Sequence, residues 1–410
     1  MDPARAIADV RELAARTGGP DGARRVCWTP EWEVAREFLR ERLASFAGHI
    51  DVSVDAAGNL WAVVPGASEE TVALGSHLDS VPAGGWLDGA LGVMAALEVL
   101  RGVTASGTPE RTVALVDWAD EEGARFGRSL LGSSAFAGSL DVEAVRGLRD
   151  SDGVALPDAL ASHGVAVEEM PSAGNGRRES LCAYLELHIE QGPVLEQEGR
   201  PCSAVVGCVG VERHRVVFTG RAAHAGTTPM DRRADAGVAS ARVVVGLPEI
   251  ASRHGGVCTA GRLDLAPGIA TAVPGRAELL VDQRHLDSGA LAAMLADAAS
   301  LWESAASEGN CSVRAERIWS IEPVLFHSGL VDAAAAACAS AGGRDQPLPS
   351  GALHDAAELA RVVPSAMVFS SSAGGVSHSP AEDTSEEDLA RALEAYGALA
   401  SRVISGGVPS

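Results

Sequence analysis

Apolar residues recur at helical spacing over 3–16 and again over 31–43, and this pattern predicts two amphipathic helices. Short runs of β-type residues follow at 50–54, 59–64 (NLWAVV) and 71–75 (TVALG), and the third ends in a polar cluster at 75–79. A Gly-rich loop at 83–89 leads into an Ala-rich apolar stretch, 90–100, predicted to be a buried helix, and TVALVDWA at 112–119 reads as a buried strand. Strand alternating with helix predicts an α/β fold, a central mixed sheet flanked by helices. The segment 146–180 is rich in Gly, Ser and acidic residues, so it reads as irregular surface structure with one short helix near 156–163. From Glu212 the rhythm changes to long β runs (HRVVFTG, RAELLVDQR) around a helix near 234–245, then a helix near 288–307 and a strand near 311–318. This predicts a smaller α+β domain, 212–322, inserted into a discontinuous domain, 1–211 and 323–410. The α/β rhythm then returns in a helix at 330–341, a buried strand at 364–370 and a final helix at 386–403.

With 410 residues the chain is long enough for two or three domains, and 46% hydrophobic against 21% charged residues is the balance of a globular protein. No apolar stretch has the length of a membrane span. The N-terminus lacks the basic start and continuous apolar core of a signal peptide, so the expected location is the cytoplasm. Seven cysteines, Cys27, Cys182, Cys202, Cys208, Cys258, Cys311 and Cys338, are scattered with no CxxC pair and read as buried thiols. A formal net charge of −22 repels nucleic-acid backbones and anionic lipid, so neither is an expected partner. All basic residues are Arg, and without Lys there is no Schiff-base chemistry.

The candidate chemistry sits where predicted strands end. GSHLDS carries His77 and Asp79, which alternation puts on one side of the chain, so that Asp79 can orient the imidazole. GGWLDGALG carries Asp88 between glycines that permit a tight turn and a close approach. WADEEGARFG places Glu121 and Glu122 side by side after a buried strand, a repulsion that is tolerable if one ligates a metal and the other accepts a proton. LELHIEQGP offers His188 and Gln191, and GGVSHSPAE offers His378. Taken singly, each of these is a loop residue or a structural histidine. As a set of imidazoles and carboxylates without thiolate, they suit zinc, manganese, cobalt or nickel in a hydrolytic site.

Read in order, GSHLDSVPAGGWLDG, DEEGARFG, LHIEQGPVLE, GRAAHAGTTPMDRRADA, SGALHDA and SHSPAE resemble the aminoacylase-type (M20) dinuclear metallopeptidase superfamily in its hydantoinase/carbamoylase branch. That branch includes N-carbamoyl-L-amino-acid hydrolases, allantoate amidohydrolases and β-ureidopropionases. The resemblance runs from about Arg24 to Glu382. It implies a zinc-peptidase-like catalytic domain holding two divalent metal ions per subunit, with His77 and His188 on one, Glu122 and His378 on the other, and Asp88 bridging. Glu121 would be the general base. The inserted domain would be a lid and dimerisation domain, making a homodimer in which His224 reaches the partner's site and stabilises an oxyanion. Arg284 would grip a substrate carboxylate, Gln191 would bond the ureido or amide group, and His354 would line the cleft and help hold it together. Two positions depart from the branch at the substrate end: Thr271 stands where Asn is usual, and Leu353 where Gly is usual. The implied reaction is hydrolysis of an N-carbamoyl-L-amino acid or related ureido acid to amino acid, carbon dioxide and ammonia. An N-acyl-amino-acid deacylase or dipeptidase is the alternative enzyme, and a binding protein that has lost the chemistry is the alternative of another class.

Overall fold

Four parallel strands, each a short run of β-branched and apolar residues, form the centre of the main sheet in the computed structural model, which describes residues 1–46 and 50–407. They lie in the order Ser365–Ser370, Leu181–Ile189, Ser68–His77 and Arg111–Trp118. Antiparallel strands Leu60–Val64 and Asp51–Val54 extend the sheet beyond Arg111–Trp118, and Cys202–Cys208 pairs antiparallel with Ser365–Ser370 on the other side. The fold is therefore the expected mixed α/β sheet.

Period-two alternation sorts these strands into two faces. Leu60, Val72, Leu74, Val113, Leu115, Leu185 and Leu187 point to one, where they are buried with side chains of helices Pro3–Thr17, Pro30–Ala44, Ala90–Ser106, Ser328–Ser340 and Glu386–Ile404. Trp61, Trp118 and Tyr184 point to the other, and the Trp118 ring centroid lies 5.5 Å from Trp61, 5.3 Å from Phe136 and 6.0 Å from Tyr184. Burial of such large rings drives the packing of this face, at about 1.5–3 kcal/mol for a fully buried large apolar side chain. The same alternation puts Glu186 and His188 on the aromatic face.

The chain divides into two compact units, Met1–Val206 with Phe326–Ser410, and Gly207–Leu325. The inserted unit thus begins at 207 rather than 212 and ends at 325 rather than 322, since Val324 and Leu325 pair with Cys208 and Gly207. It is an antiparallel sheet in the order Val257–Ala266, Arg276–His285, Gly210–Thr219, Ser312–Ile321, packed on helices Ala236–His254 and Ser288–Glu308. The first helix runs past the expected end at 245 and through Pro248. Leu247 and Ile250 bury in this unit's core with Val243 and Met294, and that burial offsets the hydrogen bond that proline removes. Among the described residues, no helix is long and apolar enough to cross a membrane.

Candidate metal centre

Every candidate ligand of the first unit leaves the carboxyl end of one of the four parallel strands. His77 ends Ser68–His77, His188 lies one residue before the end of Leu181–Ile189, Glu121 and Glu122 follow Arg111–Trp118, and His378 follows Ser365–Ser370. Asp88 stands two residues before the first residue of helix Ala90–Ser106, on the loop after His77. Gly89 between them has φ +63°, and a Cβ there would lie 2.4 Å from His77 Cε1, so only glycine lets this turn close against the imidazole.

Asp88 is 3% exposed and lies at the centre of the cluster. Its Oδ1 is 3.1 Å from His188 Nε2 and 3.8 Å from His77 Nε2, while its Oδ2 is 3.3 Å from His378 Nε2. His378 Nε2 is also 3.4 Å from Glu122 Oε2, and His77 Nε2 is 3.7 Å from Glu121 Oε2. The ligand atoms of His77, Asp88 and His188 lie within 4.8 Å of one another, as do those of Asp88, Glu122 and His378.

Backbone carbonyls settle which imidazole nitrogens carry hydrogen. His77 Nδ1 is 3.1 Å from the Asp79 carbonyl and His188 Nδ1 is 2.9 Å from the Ile189 carbonyl. A carbonyl only accepts, so each Nδ1 donates, and in the neutral ring each Nε2 turns a lone pair toward Asp88. His188 Nε2 and Glu122 Oε1 are buried without a hydrogen-bond partner among the described residues, although the former is at ion-pair distance from Asp88. With both rings neutral, acceptors face acceptors at this range, and either a proton or a metal cation must lie between them. Separations of 3.1–3.8 Å suit the edges of a coordination polyhedron built on bonds of about 2.0–2.1 Å to zinc. The donor set fits divalent cations.

The same crowding shifts the ionisations. Burial works to raise Asp88, but the imidazoles of His188 and His378, charged in the metal-free protein, outweigh it and hold the carboxyl well below its usual range. Burial pushes Glu121 well above the carboxylate range; His77 opposes that rise, and Asp355 and Glu122 add to it. Glu122 is raised to about 7, by burial first and by Asp88 second. His378 is raised to about 9, chiefly by its hydrogen bond with Asp88. A buried carboxyl raised above the usual range binds a proton more readily than a free one, which suits a proton acceptor.

Asp79 does more than the expected orientation of His77. Its carboxylate oxygen is 3.5 Å from His77 Nδ1, farther than its own backbone carbonyl, and the carboxylate accepts the backbone N–H groups of Glu121 and Glu122 at 3.2 Å each. It thereby ties the two ligand loops together. Gln191, at φ +57°, donates from Nε2 to Asp88 Oδ2 at 3.0 Å and to Ser377 Oγ at 3.1 Å. His354 is 2% exposed, with its ring centroid 4.4 Å from that of His188 and its Nε2 2.9 Å from Ser350 Oγ. Burial holds it well below the usual histidine range, so it is a neutral buttress of His188.

Glu382 received no role from the sequence, yet its Oε1 accepts the N–H groups of Leu87 (2.9 Å) and Asp88 (3.0 Å), and its Oε2 accepts the Ser377 hydroxyl. Nothing in the sequence pairs position 382 with position 88. A cavity of about 1260 Å³ lined by Trp28, Glu33, Arg125, Asp150 and His163 contains none of the candidate ligands.

Three predicted residues belong to the inserted unit. His224 is exposed on the short strand Ala223–His224, opposite Ala272, and its Nδ1 accepts the Gly226 N–H at 3.0 Å, which leaves the hydrogen of the neutral ring on Nε2. Thr271 is exposed, and its carbonyl accepts the Ala225 N–H at 2.9 Å, so the His224 turn and the position that departs from the branch are bonded to each other. Arg284 Nε donates to Asp282 Oδ1 at 2.8 Å.

The family model "Peptidase family M20/M25/M40" matches residues 73–402. An N-carbamoyl-L-amino acid amidohydrolase of Geobacillus stearothermophilus is 38% identical over 392 residues, covering 95% of this chain and 94% of the relative. An allantoate amidohydrolase of Escherichia coli (strain K12) is 34% identical over 378 residues, covering 91% of each. The crystal structure of an amidase of the hydantoinase/carbamoylase family from Burkholderia multivorans superposes with a TM-score of 0.90 at 32% identity, over 99% of this chain and 98% of that one.

Proposed function

The chain belongs to peptidase family M20/M25/M40 and is a metal-dependent amidohydrolase of it, and on that premise we propose that it hydrolyses an N-carbamoyl-L-amino acid or a related ureido acid, releasing amino acid, carbon dioxide and ammonia. The observation that carries the reading is Asp88, whose two carboxylate oxygens face different ligand pairs, Oδ1 toward His77 and His188 and Oδ2 toward His378 beside Glu122. Two divalent cations, zinc, manganese, cobalt or nickel, would there supply Lewis-acid polarisation of the carbonyl and an acidified water. Glu121, kept basic by burial, takes the proton of the attacking water and returns it to the leaving nitrogen. His224 has its Nε2–H free to donate to a developing oxyanion, because Nδ1 is occupied by Gly226. Arg284 offers a planar fork for the substrate carboxylate, and Gln191 an amide for the ureido group.

A homodimer, with His224 supplied to the partner's site, is part of the same proposal. In support of it, strand Val257–Ala266 forms the edge of the inserted sheet and exposes Val257, Leu263 and Leu265 at 58%, 38% and 42%. The test is ammonia release from N-carbamoyl amino acids, β-ureidopropionate and allantoate by metal-loaded protein, run beside N-acetyl and N-formyl amino acids. Ammonia from a ureido acid, reduced about 10²- to 10⁴-fold in Glu121→Gln, is expected. Amino acid released from acyl substrates alone would reject the ureido reading and make the protein a deacylase.

A further inference from the structure

Arg25 is 0% exposed, an unusual place for a guanidinium. Its Nε donates to the Leu78 carbonyl at 2.8 Å, its backbone N–H donates to the Ser80 hydroxyl at 3.1 Å, and its carbonyl accepts the Ser80 N–H at 3.0 Å. Nη1 reaches Thr17 Oγ1 at 3.5 Å, and Nη2 is buried without a hydrogen-bond partner among the described residues. On the other side of the same residue, the Leu78 N–H donates to Asp117 Oδ1 at 2.8 Å, and Asp117 Oδ2 accepts from the buried Arg36 at 2.8 Å. Both peptide groups of Leu78 are thus held by buried ionic side chains. Leu78 separates His77 from Asp79, so this grip sets the direction of an imidazole and of the carboxylate that caps the Glu121–Glu122 turn.

Burial pulls the Arg25 guanidinium below its ordinary range, and Glu382, Asp88, Asp79 and Glu122 oppose that fall only in part. A buried cation with an unfilled donor is costly unless nearby charge compensates it. Here that charge is the centre's own.

We propose that Arg25 is a positioning residue of the metal centre, fixing the 77–80 turn through Leu78 and Ser80. The inference rests on the reading of this cluster as a metal site. It is tested on the full-length protein stripped by a chelator, with Zn²⁺ or Mn²⁺ titrated against a chromophoric competitor. Wild type, Arg25→Met and Arg25→Lys are compared, and unfolding of each metal-free form is followed in parallel. Arg25→Met is expected to weaken metal affinity about 10- to 100-fold, the range for residues that orient ligands. Arg25→Lys keeps the charge without the fork and should fall between. If Arg25→Met is not recovered folded, Arg25→Lys decides alone on the same comparison. Wild-type binding with unchanged affinity in the folded variants, whether or not metal-free stability falls, would mark a merely structural arginine and overturn the inference. Absence of metal binding by wild type would overturn the metal reading and this inference together.

Discussion

The sequence offered Asp88 as a bridging carboxylate through its glycine-rich turn and the family resemblance, but the arrangement depends on which way each of its oxygens faces. The two histidines opposite Oδ1 owe their orientation to single carbonyls, those of Asp79 and Ile189. This makes the ionisation of the cluster testable. His378 in metal-free protein titrates near 9, above the ordinary 6.5, because its hydrogen bond with Asp88 favours the charged ring. A raised folded-state pKa means that this group stabilises the metal-free fold below about 6.5, and that the contribution is lost as pH rises through about 9. A cation must displace that proton, so metal affinity should climb across the same window. Competition with a chelator at several pH values, together with calorimetry in buffers of different ionisation enthalpy, should show proton release on binding. Affinity independent of pH would contradict this account of His378.

At the scale of elements, the site depends on how closely helix Ala90–Ser106 lies on the sheet. Gly92 makes that approach possible: a Cβ there would sit 2.3 Å from the Leu187 carbonyl oxygen and 2.6 Å from Ser76 Cβ. Ser76 precedes His77, and Leu187 precedes His188. Gly92→Ala should therefore cost about 1–3 kcal/mol by overpacking and, if His77 and His188 hold a metal as proposed, also weaken metal binding, since the strain falls beside both. Thermal unfolding with and without metal reads both effects, and a variant with wild-type Tm and affinity would show that the helix yields without disturbing the strands. Most elements were legible from periodicity, because a strand buried on both faces or a helix with an apolar stripe writes its environment into the chain. Strand Val257–Ala266 was not, since most of its residues are exposed and its alternation is confined to 257–261, where only Cys258 and Ala260 turn inward. Cys202–Cys208 was missed because its small residues give little β signal on their own.

At the scale of the molecule, the proposal that His224 acts in trans predicts complementation. Glu121→Gln and His224→Ala should each be inactive, yet a re-assorted mixture should recover about a quarter of wild-type activity, because half the dimers are mixed and one of their two sites is intact. A mixture as inactive as its components would mean that His224 acts in cis, and an active His224→Ala would mean that it does not act in the reaction. The sequence by itself determined the α/β class, the inserted unit and the short list of residues able to hold a metal, because local periodicity and residue chemistry need no knowledge of distant neighbours. Only the tertiary structure decided that Asp88 turns its oxygens to different ligand pairs, that Asp79 caps the Glu121–Glu122 turn, and that Glu382 and Arg25 stand behind the cluster. Those relations join residues tens to hundreds of positions apart. They are fixed by the register of parallel strands and by the need of each buried polar group for a partner, and neither leaves a mark in the local pattern.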